Sequence, residues 1–184
     1  GKRTRLDNRG TVAGVTVGRD AIVYGRDDLK STAQLYRLSP RGGEPVALTR
    51  FNAARMAGLA LGDYEQFTFA GWNGETVHAY LVKPANFSAG AKYPVAFLIH
   101  GGPQGSFGNH FHYRWNPQTY AGQGYAAVMV DFHGSTGYGQ AFTDSISGDW
   151  GGKPMEDLQK GLAAALAKYD FLDGDRVCAL GGSY

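Results

Sequence analysis

Apolar positions change their rhythm along the chain. In the first sixty residues they come in short runs: Val12 to Val17, Ala21 to Tyr24, Gln34 to Leu38 and Val46 to Leu48. Gly18-Arg19-Asp20, Gly25 to Asp28 and Pro40 to Gly43 separate them. Strand-like runs with a turn signal about every ten residues predict an antiparallel meander of about four strands. One such sheet is a single propeller blade or a small part of a sandwich, and it is too small to enclose a core by itself.

The pattern then becomes a hairpin. Glu65 to Ala70 and Thr76 to Lys83 flank Trp72-Asn73-Gly74-Glu75, where Asn-Gly supplies the positive φ angles of a tight turn. Pro84 ends the second strand. From Tyr93 strands and helices alternate. Val95 to Ile99 is a continuous apolar run, as expected of a strand covered on both faces. Asn116-Pro117 opens a helix that Gly122 and Gly124 close. Tyr125 to Val130 reads as a second buried strand, ending at Asp131. The clearest helix opens at Pro154, with Glu156 and Asp157 suited to the positive end of its dipole. Leu158, Leu162, Ala165, Leu166 and Tyr169 recur along it at helical spacing. Asp173-Gly174-Asp175 turns the chain into a third buried strand, Val177 to Leu180. Alternation of this kind predicts a parallel sheet with helices on both faces, with its chemistry in the loops after the carboxyl ends of the strands.

Composition narrows the picture. A length of 184 residues with 43% hydrophobic positions allows a core for one domain or one and a fraction. A net charge of +2 gives no argument for nucleic acid or an anionic membrane, and the basic start Lys2-Arg3-x-Arg5 reads as a solvated end. No apolar run approaches the length of a membrane-spanning helix. The single cysteine, Cys178, excludes an internal disulfide and reads as a small buried hydrophobe in its strand. No leader peptide is legible, and a chain that starts at Gly1 says little about what precedes it.

Three glycine-rich loops sit where the chemistry of such a sheet belongs: after Ile99, after Val130 and after Leu180. Gly181-Gly182-Ser183-Tyr184 follows a strand and supplies four of the five positions of the G-x-S-x-G nucleophile elbow of α/β-hydrolases. By itself the tetrapeptide would be a turn; its place after a strand makes Ser183 the candidate nucleophile. His100-Gly101-Gly102-Pro103 follows the first parallel strand, where esterases carry an HGGG-type oxyanion loop. An ordinary strand-exit turn is the alternative. The two motifs together, in this order, favour an oxyanion hole built from the N–H groups of Gly102, Tyr184 and Gly101. Gly134 to Gly139 imitates a phosphate loop without the Gly-Lys-Ser/Thr it requires, so nucleotide binding is not expected. His110 and His112 have no third ligand in view, and Asp170, Asp173 and Asp175 lack the spacing of a calcium loop, so neither a metal nor a cofactor is expected. Phe107, Phe111, Tyr113 and Trp115 read either as a pocket lining or as packing between loop and sheet.

These segments together resemble a known family. Ile99 to Ser106, Tyr113 to Pro117, Gly134 to Gly139 and Gly148-Asp149-Trp150-Gly151-Gly152 are similar to the prolyl oligopeptidase family of serine peptidases, in its dipeptidyl peptidase V and acylaminoacyl-peptidase branch. The resemblance covers most of residues 60–184. It implies the α/β class: a partial α/β-hydrolase domain over 61–184, preceded over 1–60 by an all-β segment from the end of a β-propeller. It implies a serine exopeptidase or oligopeptidase that cleaves short peptides near the amino terminus through an acyl-enzyme on Ser183. His100 stands where other branches carry an oxyanion-binding tyrosine. His133 stands where many relatives have arginine, and it is assigned no role. In α/β-hydrolases the acid and the histidine follow the serine in sequence, so both are expected after residue 184, in the remaining polypeptide of the same enzyme. The chain is thus expected to be a fragment, inactive alone. The resemblance favours a periplasmic location and leaves a cytoplasmic one open; a homo-oligomer is also left open. Two other readings stay in view on the same fold: an esterase or lipase, and a non-catalytic binding domain.

Overall fold

A computed structural model describes residues 3–184, so Lys2 of the basic start lies outside the described residues. The chain divides into two compact units. One comprises the chain up to Leu59 together with Asn109–Trp115, and the other comprises Ala60–Gly108 together with Asn116–Tyr184. The segment 109–115, expected within the second unit, therefore clusters with the first.

The first unit is a four-stranded antiparallel meander in the order β1-β2-β3-β4: β1 Thr11–Val17, β2 Ile22–Asp28, β3 Ser31–Leu38 and β4 Val46–Ala47. A five-residue helix, α1 Ala53–Ala57, follows. One turn differs from the expectation. Gly25 to Asp28 continues β2, with Gly25 paired to Leu35, and the reversal occurs at Leu29-Lys30. There the Asp28 carboxylate accepts from the Lys30 N–H at 2.8 Å, and Leu29 is buried. An Asx-type turn does the work expected of glycine. A half-buried ion pair ties this unit to its N-terminal approach. Asp7 accepts from Tyr24 Oη and from Arg26, each at 2.6 Å. Burial opposes the charge on Asp7, but the bonds from Tyr24, Arg26 and the Arg9 N–H outweigh it and hold the carboxyl below its usual range. The His110-x-His112 pair is consumed locally. His110 bonds to Asp27 at 2.7 Å, and His112 Nδ1 accepts from the N–H groups of Arg114 and Trp115.

The second unit is a mixed five-stranded sheet in the order β5-β6-β8-β7-β9, with β5 Tyr64–Ala70, β6 Thr76–Val82, β7 Tyr93–Ile99, β8 Ala126–Asp131 and β9 Leu172–Gly181. The β5-β6 hairpin turns through Asn73 and Gly74, at φ 54° and 74°. This hairpin joins the sheet by antiparallel pairing of β6 with β8, while β7 runs parallel to both β8 and β9. Helix α2, Pro117–Ala121, starts as expected, with Asn116 Oδ1 accepting from the Gln118 N–H at 2.9 Å. A short helix that the pattern did not announce, α3 Gln140–Asp144, precedes the long α4, Gly152–Lys168. The stripe Leu158, Leu162, Ala165, Leu166 and Tyr169 packs α4 and its end on alternate residues of the strands, including Phe67, Val77, Val95, Phe97, Val128 and Val130. No helix among the described residues is long and apolar enough to cross a membrane.

Two expectations for β9 need correction. The strand begins at Leu172, and the Asp173–Asp175 turn survives inside it as an irregularity between the pairs Tyr93–Leu172 and Val95–Val177. Asp173 accepts from the Asp175 N–H and from Arg176. The strand is also not buried, and Cys178 is exposed. β9 is the outermost strand of the sheet, so it has a pairing partner on one side only among the described residues.

Candidate active site

Strand order decides which loops meet. The chain leaves β7 for its neighbour β8 on one side, then returns to β9 on the other. The carboxyl end of β7 is therefore a topological switch point, the usual place for a ligand crevice in an open parallel sheet. The loop from His100 and the loop from Gly182 emerge side by side there, since Ile99 pairs with Gly181.

Their contact is close. A Cβ built on Gly101 would lie 2.6 Å from the Gly182 carbonyl oxygen and 3.0 Å from Ser183 Cβ. A side chain at position 101 would collide with the backbone of the serine loop. Ser183 has φ 68°, a left-handed conformation that is costly for a residue bearing Cβ. A nucleophile elbow takes a strained turn of this kind, which exposes its hydroxyl, and Ser183 is exposed. The Tyr184 ring packs edge-on against Phe132 and Trp150, and its hydroxyl donates to the Trp150 carbonyl. Burial, with a smaller contribution from Asp149, raises the Tyr184 phenol above its usual range. Gly101, Ser183 and Tyr184 thus share one corner of the sheet. Gly102 follows Gly101 in the same loop, at φ 132°. Among the described residues, no imidazole hydrogen-bonds to Ser183.

Behind this corner lies a polar cluster that the sequence did not announce. Asp131 ends β8 fully buried. It accepts from the Phe107 N–H at 2.8 Å and from Tyr138 Oη at 2.5 Å, while the Tyr138 ring stacks on His78. Burial raises the Asp131 pKa, and the bonds from Tyr138 and Phe107 and the nearby His100 only partly offset it. His100 stacks on Phe132 at 4.3 Å between ring centres. Its Nδ1 is 2.8 Å from the Gly101 carbonyl oxygen and its Nε2 is 2.9 Å from Ser135 Oγ. A carbonyl oxygen can only accept, so Nδ1 carries a proton. Burial lowers the His100 pKa and favours the neutral ring, whose Nε2 then accepts from the Ser135 hydroxyl.

A second buried cluster centres on His133, to which the sequence reading gave no role. Its backbone N–H and its Nδ1 both reach Asp157 Oδ2, at 2.7 and 2.6 Å. The Trp72 N–H donates to Asp157 Oδ1 at 2.7 Å, and His133 Nε2 lies 3.3 Å from Glu75. Asp157 is therefore a buried acceptor joining α4, the β8 loop and the β5-β6 turn, rather than a solvated partner of the helix dipole. The four aromatics read as a pocket lining or as loop packing fall in different units. Phe107 packs edge-on to His100 in the second unit, whereas Phe111, Tyr113 and Trp115 belong to the first.

Known proteins similar to this chain fall in one family. The sequence profile of the prolyl oligopeptidase family matches residues 111–184. A dipeptidyl-peptidase 5 of Schizosaccharomyces pombe is 47% identical over 127 residues, which are 69% of this chain and 19% of that protein. A dipeptidyl-peptidase 5 of Aspergillus fumigatus is 43% identical over 152 residues, 82% of this chain and 21% of that protein. Among solved structures, Pyrococcus horikoshii acylaminoacyl peptidase superposes with a TM-score of 0.80 at 26% identity, covering 92% of this chain and 27% of that one. The chain spans about a fifth of the length of the curated relatives it matches.

Proposed function

Since the chain belongs to the prolyl oligopeptidase family, through the match over residues 111–184, we propose that this protein is a serine peptidase with Ser183 as its nucleophile. One observation carries the assignment: Ser183 takes a left-handed φ of 68° directly after β9, against a glycine loop that a side chain at Gly101 would obstruct.

Ser183 Oγ attacks the scissile carbonyl carbon, and the serine proton passes to a histidine supplied, with its acid partner, from sequence after residue 184. The developing oxyanion is met by the N–H groups of Gly102 and Tyr184, with Gly101 alongside. Collapse of the tetrahedral intermediate breaks the C–N bond, and the amine leaves with the proton from the histidine. Water then hydrolyses the Ser183 ester by the same route. One oxyanion donor of this kind is worth on the order of 10²–10³ in turnover.

The names of the relatives, dipeptidyl-peptidase 5 and acylaminoacyl peptidase, support short peptides cleaved near their amino termini as substrates. We read the first unit as the end of a β-propeller, on the strength of its four-stranded antiparallel order, and residues 61–184 as the N-terminal part of the hydrolase domain. Chromogenic dipeptide, acylamino-acid and simple ester substrates, compared by kcat/KM on the complete protein, test the substrate class. The dipeptide or acylamino-acid substrate should be turned over best; a clear preference for simple esters over every peptide would move the protein to the esterase reading.

A further inference from the structure

Resting on the reading of Ser183 as nucleophile, we propose that His100 is a positioning residue that aims the Gly102 N–H at the oxyanion by holding the carbonyl of Gly101. The Gly101 oxygen and the Gly102 N–H belong to one planar peptide unit and, in its trans form, point in opposite directions. Whatever fixes the oxygen fixes the direction of the N–H. His100 Nδ1 donates to that oxygen at 2.8 Å.

The ring has little freedom of its own. It stacks on Phe132 with 11° between planes, its Nε2 is held by buried Ser135 at 2.9 Å, and Asp131 Oδ1 lies 4.0 Å away. The loop after β8 braces the loop after β7 a second time, because the Thr136 N–H donates to the Gly105 carbonyl at 2.8 Å. A Cβ on Gly105 would approach the Gly101 oxygen to 3.2 Å, so this loop folds back over the His100–Gly101 bond. A donor on the carbonyl also polarises the peptide unit and makes its N–H a better donor in turn.

The test uses His100→Ala, His100→Gln and His100→Asn in the complete protein, with turnover normalised to sites titrated by a fluorophosphonate. An asparagine amide nitrogen sits as many bonds from Cβ as Nδ1 does; the glutamine nitrogen reaches only as Nε2 does. His100→Ala and His100→Gln should lower kcat roughly 10–100-fold with KM within about threefold, since misplacing a catalytic donor by about 1 Å costs up to 10²-fold. His100→Asn should recover most of that loss, and a peptide aldehyde, which binds as a tetrahedral oxyanion, should weaken in parallel with kcat/KM. A purely structural role would instead reduce the number of titratable sites and the Tm while leaving kcat per site unchanged. A kcat per site for His100→Ala within twofold of wild type, or His100→Asn as impaired as His100→Ala, would overturn the proposal. Ser183→Ala separates the two levels. If it abolishes turnover while His100→Ala is normal, only the positioning role fails; if it stays active, the nucleophile assignment fails and this inference falls with it.

Discussion

Replacing Gly101 by alanine tests the geometry of the site without altering any reacting group. The added methyl would stand 2.6 Å from the Gly182 oxygen, where ordinary contact begins near 3.4 Å, so one backbone must retreat by about 0.8 Å. Neither is free to do so cheaply, because the pairing of Ile99 with Gly181 fixes both strand ends. A displacement of that size between nucleophile and oxyanion donors predicts a fall in kcat of roughly 30–100-fold. Overpacking of this kind costs about 1–3 kcal/mol of stability, so the fold should survive. Gly151→Ala is the control, since a Cβ there meets nothing within 4 Å and the residue has an unstrained φ of −101°. The assay is steady-state peptide hydrolysis by the complete protein, per fluorophosphonate-titrated site. The control, whose added Cβ meets no neighbour, should keep its stability within about 0.5 kcal/mol and its kcat near that of wild type. A Gly101→Ala enzyme as active as its Gly151→Ala counterpart would refute the claim that the two loops form one catalytic corner.

Asp157→Ala should destabilise the second unit by about 3–5 kcal/mol in denaturant melts, because it leaves both His133 donors buried without their acceptor and removes the partner of the Trp72 N–H; a loss under about 1 kcal/mol would contradict the role given to this cluster. Asp7 predicts a pH effect. Its folded pKa lies below the unfolded value, so its contribution is complete above the unfolded pKa of about 3.9 and is lost as pH falls through the folded value. Asp7→Asn should therefore cost most stability near neutrality, and its deficit relative to wild type should shrink as pH drops from about 4 towards 2; a deficit independent of pH would contradict the ion-pair account.

Local chemistry was legible in the sequence and tertiary partnership was not. The Asn116 cap and the Asn73-Gly74 turn are set by neighbouring atoms, and the structure has both where the pattern placed them. Gly25 misled because a glycine reads as a turn, whereas the buried Leu29 and the Asp28 side chain made the real one. Asp157 looked like an ordinary first-turn acid because nothing near it in sequence announces a donor 85 residues away. The exposure of β9 follows from its place at the edge of the sheet, whereas its apolar run taken alone reads as a buried strand. In the site, the meeting of the Gly101 and Ser183 loops followed from parallel strand logic. The hold of His100 on the Gly101 carbonyl depends on Ser135 and Phe132 from another loop, and no local pattern encodes it.

The most direct test of the nucleophile assignment is the site of covalent modification. The complete protein is inactivated with a fluorophosphonate, digested, and the adduct located by mass spectrometry alongside residual peptidase activity. A single adduct on Ser183, formed in step with loss of turnover, is the predicted result. An adduct on another residue, or full peptidase activity with Ser183 modified, would contradict it.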